Sequence, residues 1–289
     1  MQPTIQLGGG VADRRARPEC AKATNRACEA PGATPFPQLT ANAEASVVLV
    51  TGAAGSIGRA AIRSFASRGL RVVAADRHEL DQPEAGIVAR ALHVDLTDDG
   101  ATGAAFADLA GVGGLRHVVA VAGGGDVDEL RQADQPTEPV EVFERVVTDN
   151  LLSAFVTVRH AMPLLRRTTG DRSITLVGSI NAFGGYGAPG YSAAKAGLIG
   201  LARALATPLG ADGIRVNCLS LGTVDTPNLH DLARARGHEL DLAAVAARAP
   251  LKRVLTADDV AASLTAMALE MTGLTGATVV LDNGQTSIA

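Results

Sequence analysis

The chain has 289 residues, 47% of them apolar, with no tryptophan, 3% aromatic residues and a formal net charge of −4. That length suits one α/β domain with a substantial core; the acidic balance and scarce aromatics argue against a nucleic-acid partner. Cys20, Cys28 and Cys218 form no disulfide framework or metal-ligand cluster, and no apolar run could span a membrane, so a soluble, metal-free protein of a reducing cytoplasm is expected.

Residues 1–45 are rich in Pro, Gly, Thr and charged residues without apolar periodicity, which predicts a disordered N-terminal extension. They lack the apolar core of a secretory signal, and Asp13, Glu19 and Glu29 count against a transit peptide. Residues 46–289 then alternate short apolar runs with helical stretches. Ser46–Val50 reads as a buried strand, followed by the turn TGAAGSIG and a helix that Gly69 stops. Arg71–Ala75 closes on Asp76, and Ala91–Val94 closes on Asp95. A helix around Thr102–Leu109 precedes the strand His117–Val121 and the glycines that follow it. Pro139 opens one long helix running through Asn150 to about Leu165. Ser173–Val177, Arg215–Leu219 and Thr278–Leu281 are further strands, and Thr256–Glu270 is a helix with a threonine cap. Strands buried on both faces and alternating with helices imply one doubly wound parallel sheet, a Rossmann-type α/β fold of seven strands flanked by helices.

Ligands of such sheets bind off the carboxyl ends of the strands. There the sequence places Gly52, Gly55, Ser56, Ile57 and Gly58 in a turn whose backbone N–H groups can approach a pyrophosphate at a positive helix end. Asp76, about 20 residues on, is the expected partner of ribose hydroxyls. Asp95 reads equally as an acceptor for an adenine amino group or as a solvated turn residue. The stretch from Gly178 to Leu205 adds Ser179 at a strand end and Tyr191 with Lys195 four places on. Positions i and i+4 share a helical face. An ammonium about 5 Å from a phenol, at a dielectric of about 20, favours the phenolate by roughly 3 kcal/mol. A phenol so tuned can exchange a proton with a carbonyl or alcohol oxygen, which Ser179 can hold. A tyrosine beside a surface lysine is common; here, however, the only lysines are Lys22, Lys195 and Lys252, and the other tyrosine, Tyr186, has no lysine at that spacing.

Together TGAAGSIG, Asp76, Asp95-Leu96, Asn150, Ser179, Tyr191-x-x-x-Lys195 and LGTVDTP resemble the short-chain dehydrogenase/reductase family in its classical branch, from about Ser46 to the end of the chain. The resemblance implies hydride transfer between a nicotinamide and a carbonyl/alcohol pair. It makes Tyr191 the general acid/base, Ser179 the residue orienting the substrate oxygen, Lys195 a binder of the nicotinamide ribose, and Asn150 the support of a proton-relaying water. Leu96, Ala122, Gly123, Gly222, Thr223, Val224 and Thr226 join the cofactor set, with Thr223 and Thr226 at the carboxamide. Asp76 favours NAD(H) over NADP(H); Arg77 is the complication, with Asp76 expected to compete for it. Departures from the family pattern are Ser56 in a glycine's place, Ala120 and Val121 where asparagines are usual, Leu221 for a proline, and a loop after Ser179 one residue short.

Pro227 to about Arg248 is expected to be a mobile lid, with His230 a surface residue, and Phe183 and Tyr186 either lining the pocket or packing in their loop. The expected substrate is a small or cyclic alcohol or ketone, with a 3-oxoacyl thioester reduced by NADPH as the enzymatic alternative and a catalytically silent nucleotide sensor or scaffold as the alternative of another class. Small and apolar residues on the two long helices suggest a homotetramer or dimer.

Overall fold

The computed structural model describes residues 46–288 apart from 82–83, 85, 127, 129–137 and 185–186. The extension expected over residues 1–45, and Tyr186, lie outside the described residues. Seven strands, β1 (Val47–Thr51), β2 (Arg71–Asp76), β3 (Arg90–His93), β4 (Leu115–Ala120), β5 (Arg172–Ser179), β6 (Ile214–Leu221) and β7 (Thr278–Leu281), form one sheet in the order β3-β2-β1-β4-β5-β6-β7. Every pairing is parallel. The strand order reverses between β1 and β4, where the connections leave for opposite sides and a crevice opens.

Eight helices complete the described fold: α1 (Ser56–Ser67), α2 (Asp99–Ala107), α3 (Val140–Val147), α4 (Ser153–Arg166), α5 (Pro189–Gly210), α6 (Pro227–Ala235), α7 (Leu242–Arg248) and α8 (Ala257–Leu269). Strand side chains alternate between faces, so β1 feeds two cores. Val47 and Leu49 join Phe106, Val158, Leu165, Leu198 and Leu209 from α2, α4 and α5. Val48 and Val50 join Ile62 and Phe65 of α1 and Val260, Leu264 and Met267 of α8. At about 1.5–3 kcal/mol for each large apolar side chain buried, the two layers hold the sheet rigid while its strand ends stay open. No helix among the described residues is long and apolar enough to cross a membrane.

Two elements depart from the sequence expectation. Helix α2 begins earlier, at Asp99, because the Asp98 carboxylate accepts from the Ala101 N–H and fixes the first turn. The long helix from Pro139 is not continuous: a π turn, Thr148–Leu152, separates α3 from α4. Helical periodicity hides the extra residue of a π turn, which long-range contacts of Asn150 stabilise here. By contrast α8 starts as read, with a full capping box between Thr256 and Asp259.

At the opposite, amino-terminal end of the sheet, His117 of β4 is buried, with Nδ1 2.9 Å from the Ser173 hydroxyl of β5. Burial lowers this imidazole from 6.5 to about 4, against an opposing pull from Asp171. Between those two values the unfolded chain binds a proton that the fold refuses. Stability is therefore lost as pH falls from 6.5 to about 4, by about 3 kcal/mol in total. His117→Gln should flatten the acid limb of stability relative to the parent, measured by urea denaturation from pH 7 to pH 4. Parallel acid limbs in the two proteins would show that His117 does not set this dependence.

Candidate active site

A cleft of about 1270 Å³ lies across the carboxyl ends of the strands, and all the sequence-selected residues line it: Gly52, Gly55, Ser56, Ile57, Gly58, Asp76, Arg77, Asp95, Leu96, Ala122, Gly123, Asn150, Ser179, Tyr191, Lys195, Gly222, Thr223, Val224 and Thr226. The floor is the turn between β1 and α1. Gly52 there has φ +62°, and a Cβ on Gly58 would lie 2.1 Å from the Gly52 carbonyl oxygen, so only glycine lets the helix approach the strand this closely. Helix α1 starts with no side-chain cap and no acidic residue in its first turn. Its free N–H groups and dipole suit an anion.

Asp76 ends β2 with both carboxylate oxygens engaged: Oδ2 accepts from the Ala54 N–H and Oδ1 from the His78 N–H, each at 2.9 Å. These bonds fix the carboxylate beside the glycine turn and still leave lone pairs for hydroxyl donors. Arg77 does not turn to Asp76, as the sequence suggested; its guanidinium lies 3.4 Å from Asp149 in the π turn. Asp76 is already engaged by the Ala54 and His78 N–H groups, while Arg77 lies past the end of β2 and meets Asp149 instead. Arg59, the nearest basic residue of α1, is held by the Ala54 carbonyl and Asp81. Asp95 accepts from the N–H and hydroxyl of Thr97, and the Thr97 N–H holds its pKa below the usual carboxylate range.

The turn after β4 lacks asparagines, but other groups brace it. The Thr51 hydroxyl accepts from the Ala122 N–H at 3.2 Å. Asn150, fully buried, accepts from the Gly124 N–H at 2.9 Å and donates to the carbonyls of Gly124 and Val146, both at 3.0 Å. Its side-chain amide is thereby committed to backbone, so any part in holding water falls to the main chain of the π turn, where the regular helical ladder is interrupted.

Ser179 pairs with Leu221 across β5 and β6. Leucine in place of proline keeps a backbone N–H, and β6 runs on to that residue. The Ser179 hydroxyl accepts from the Asn181 N–H at 3.2 Å, which leaves its own proton to donate. Tyr191 and Lys195 stand on the first turns of α5, with the Lys195 ammonium 5.4 Å from the centre of the Tyr191 ring. Lys195 Nζ is buried and donates to the Val177 carbonyl at 3.1 Å. Burial lowers its pKa from 10.5 to about 8, against an opposing pull from Cys218. Glu138, which carried no sequence signal, accepts from the Gly190 N–H at 2.6 Å, one residue before Tyr191. Because Ala188 offers α5 no side-chain cap, this distant carboxylate supplies one and meets the positive helix end.

The lid segment forms the helices α6 and α7; Leu229, Leu232, Leu240 and Val245 face the cleft. His230 pairs with Asp225 and is not a lining residue, nor is Phe183, which is half exposed. Gln285, missed in the sequence, spends its Oε1 on the Thr223 N–H at 3.0 Å and its Nε2 on the Thr223 hydroxyl at 3.3 Å. Thr223 is thus engaged by protein. Its neighbour Val224 bridges to Leu255 through the Thr223 carbonyl and the Asp225 N–H. Since an extended chain alternates its amides, Val224's own N–H and C=O turn the other way.

Known proteins resemble the chain in sequence and in fold. The family described as enoyl-(acyl carrier protein) reductase matches residues 52–286. The chain is 33% identical over 251 residues to (+)-borneol dehydrogenase 1 of Salvia officinalis, covering 83% of this chain and 94% of that protein. It is 32% identical over 258 residues to cis-4-hydroxycyclohexanecarboxylate dehydrogenase of Sinomonas cyclohexanicum, covering 84% and 97%. Among solved structures, an oxidoreductase of the short-chain dehydrogenase/reductase family from Burkholderia thailandensis superposes with a TM-score of 0.72 at 31% identity, covering 85% of this chain and 94% of that one.

The buried ammonium has a measurable cost. In the unfolded chain Lys195 keeps its proton to about pH 10.5, in the fold only to about pH 8. Stability therefore carries a penalty of about 3 kcal/mol below pH 8 that is relieved as pH rises towards 10.5. Lys195→Met should make the ligand-free protein more stable at pH 7, with the advantage shrinking by pH 10.5 in denaturant titrations. A variant less stable than the parent at pH 7 would contradict the assignment.

Proposed function

The chain belongs to the short-chain dehydrogenase/reductase family and is a nicotinamide-dependent oxidoreductase, and from that premise we propose that it interconverts a small or cyclic secondary alcohol and its ketone, with Tyr191 as general acid/base and NAD(H) as preferred cofactor. One observation carries the reading: Ser179, Tyr191 and Lys195 line one cleft with the uncapped start of α1 and the anchored Asp76. When bound, the nicotinamide supplies or accepts the hydride. The residues present fit a dinucleotide. Its pyrophosphate matches the free N–H groups of α1, its ribose hydroxyls the Asp76 carboxylate, and its carboxamide the backbone amide of Val224, a lining residue, with the Thr226 hydroxyl. Thr223 serves indirectly, held by Gln285.

In this mechanism Tyr191 exchanges a proton with the substrate oxygen, and Ser179 donates a hydrogen bond to that oxygen. The Lys195 ammonium, 5.4 Å from the centre of the tyrosine ring, favours the phenolate by Coulomb attraction. Asn150 keeps the π turn in shape, and its backbone supports a water that carries the proton onward. The relatives named for borneol and for a hydroxycyclohexane carboxylate favour a cyclic alcohol over a long-chain thioester. Val140, Phe143, Leu152 and Phe155 present exposed apolar surface along α3, the π turn and α4; covering it with a second copy supports a homo-oligomer.

Tyr191→Phe should lower turnover by at least about a hundredfold, the usual weight of one general acid/base, with NADH affinity little changed. Turnover near the parent's would remove Tyr191 from the mechanism.

The cofactor preference follows from charge. A 2′-phosphate beside the fixed Asp76 carboxylate costs roughly 2 kcal/mol after solvent screening. Arg77 offsets part of this only by leaving Asp149, a half-exposed pair worth at most about 1 kcal/mol. The parent should show at least about tenfold higher kcat/KM with NAD(H) than with NADP(H), and Asp76→Ala should narrow that ratio chiefly by weakening NAD(H). A parent preference for NADP(H) would mean that Arg77 turns to the phosphate.

A further inference from the structure

The ionised side chains that line the cleft almost all have a hydrogen-bond or ion-pair partner within the protein. Asp76 accepts two backbone N–H groups, Arg77 pairs with Asp149, and Asp95 accepts from Thr97. Asp126 pairs with Arg145, and the Lys195 ammonium donates to the Val177 carbonyl. Two arginines remain, Arg236 and Arg248, which are exposed residues of the cleft lining with no ion-pair or side-chain hydrogen-bond partner among the described residues.

Both stand on the lid. Arg236 is the C-cap of α6 and Arg248 the last residue of α7. A cation at a helix end gains a few tenths of a kcal/mol from the dipole, up to about 1 kcal/mol. That gain explains a basic residue at each position, but not why both face one cleft across an apolar wall of Leu229, Leu232, Leu240 and Val245. The acidic lid residues cannot neutralise them: Asp225 pairs with His230, Asp231 with Arg234, Asp241 caps α7, and neither these nor Glu239 line the cleft. An apolar lining joined by two unpaired arginines suits a molecule with an apolar body and a carboxylate, which an arginine fork binds in two parallel hydrogen bonds. The cofactor's diphosphate has a separate seat at the uncapped start of α1.

We propose that the substrate is a hydroxy or keto acid, whose carboxylate is taken by Arg236 and Arg248 while its carbonyl or alcohol oxygen lies at Ser179 and Tyr191. This rests on the oxidoreductase reading above and names the substrate class of that same site.

The test pairs 4-oxopentanoate, 5-oxohexanoate, 6-oxoheptanoate and 3-oxocyclohexanecarboxylate each with its methyl ester, assayed for NADH and NADPH oxidation in the parent and in Arg236→Gln/Arg248→Gln. NADH affinity is followed separately by fluorescence, and folding by thermal denaturation. In the parent the best acid should exceed its ester in kcat/KM by at least tenfold. In the double variant that ratio should fall to within about twofold, with the acid's loss mainly in KM and NADH affinity held within about threefold. Three results overturn the proposal: esters preferred throughout, an acid preference that survives the double substitution, or a loss of NADH affinity with the acid-to-ester ratio unchanged, which would assign the arginines to the cofactor diphosphate. Turnover of neutral esters alone sinks the acid-binding role and leaves the oxidoreductase reading intact, whereas failure with every carbonyl and both cofactors counts against that reading itself.

Discussion

The cleft depends on one side chain closing on backbone at both its ends. Asn150 receives the Gly124 N–H and returns a hydrogen bond to the Gly124 carbonyl, with a further bond to Val146 in the same helix. The contact ties the turn after β4 to the helical layer, and each backbone group left unpaired by its loss would cost about 1–3 kcal/mol. It also sets the π turn, which places Asp149 where it meets Arg77. The close fit extends to Gly123, where a Cβ would come within 2.5 Å of the Asn150 oxygen. The floor of the cleft at Gly123 and Gly124, the helix break and the Arg77–Asp149 pair therefore share one mechanical origin.

On the catalytic side the fold tolerates an unfavourable burial. Lys195 is a buried ammonium that donates to the Val177 carbonyl, and burial lowers its pKa. A hydrophobic residue would pack there at lower free energy, in line with the trade between stability and activity common at functional sites. The cost is sustained because α5 is a long helix packed on β5 and β6 and capped from outside by Glu138. Rigidity of that helix keeps the ammonium over the tyrosine ring instead of letting it escape to water.

The far wall is built differently. Helices α6 and α7 are short and largely exposed, anchored where Val224 bridges to Leu255 and where Gln285 grips Thr223. The residue types change with that architecture: the deep wall carries Ser179, Tyr191 and Lys195, and the segment of α6 and α7 carries apolar side chains together with Arg236 and Arg248.

The sequence by itself determined the alternation of strands and helices, the parallel sheet and a core set of cleft residues, because each depends on local pattern. Apolar runs bounded by glycines mark strands, helical spacing puts Tyr191 and Lys195 on one face, and strand ends collect the acidic and glycine residues. What pattern could not supply were the partners. Glu138 reaches Gly190 across 52 residues and Gln285 reaches Thr223 across 62, and nothing in the neighbourhood of either residue announces the contact. The pairing of Arg77 with Asp149, the break at Thr148–Leu152 and the side-chain saturation of Asn150 were likewise decided only when the layers packed. Local periodicity reports which way a side chain faces; the free energy of a buried polar group depends on what it meets there, and that is a property of the tertiary structure.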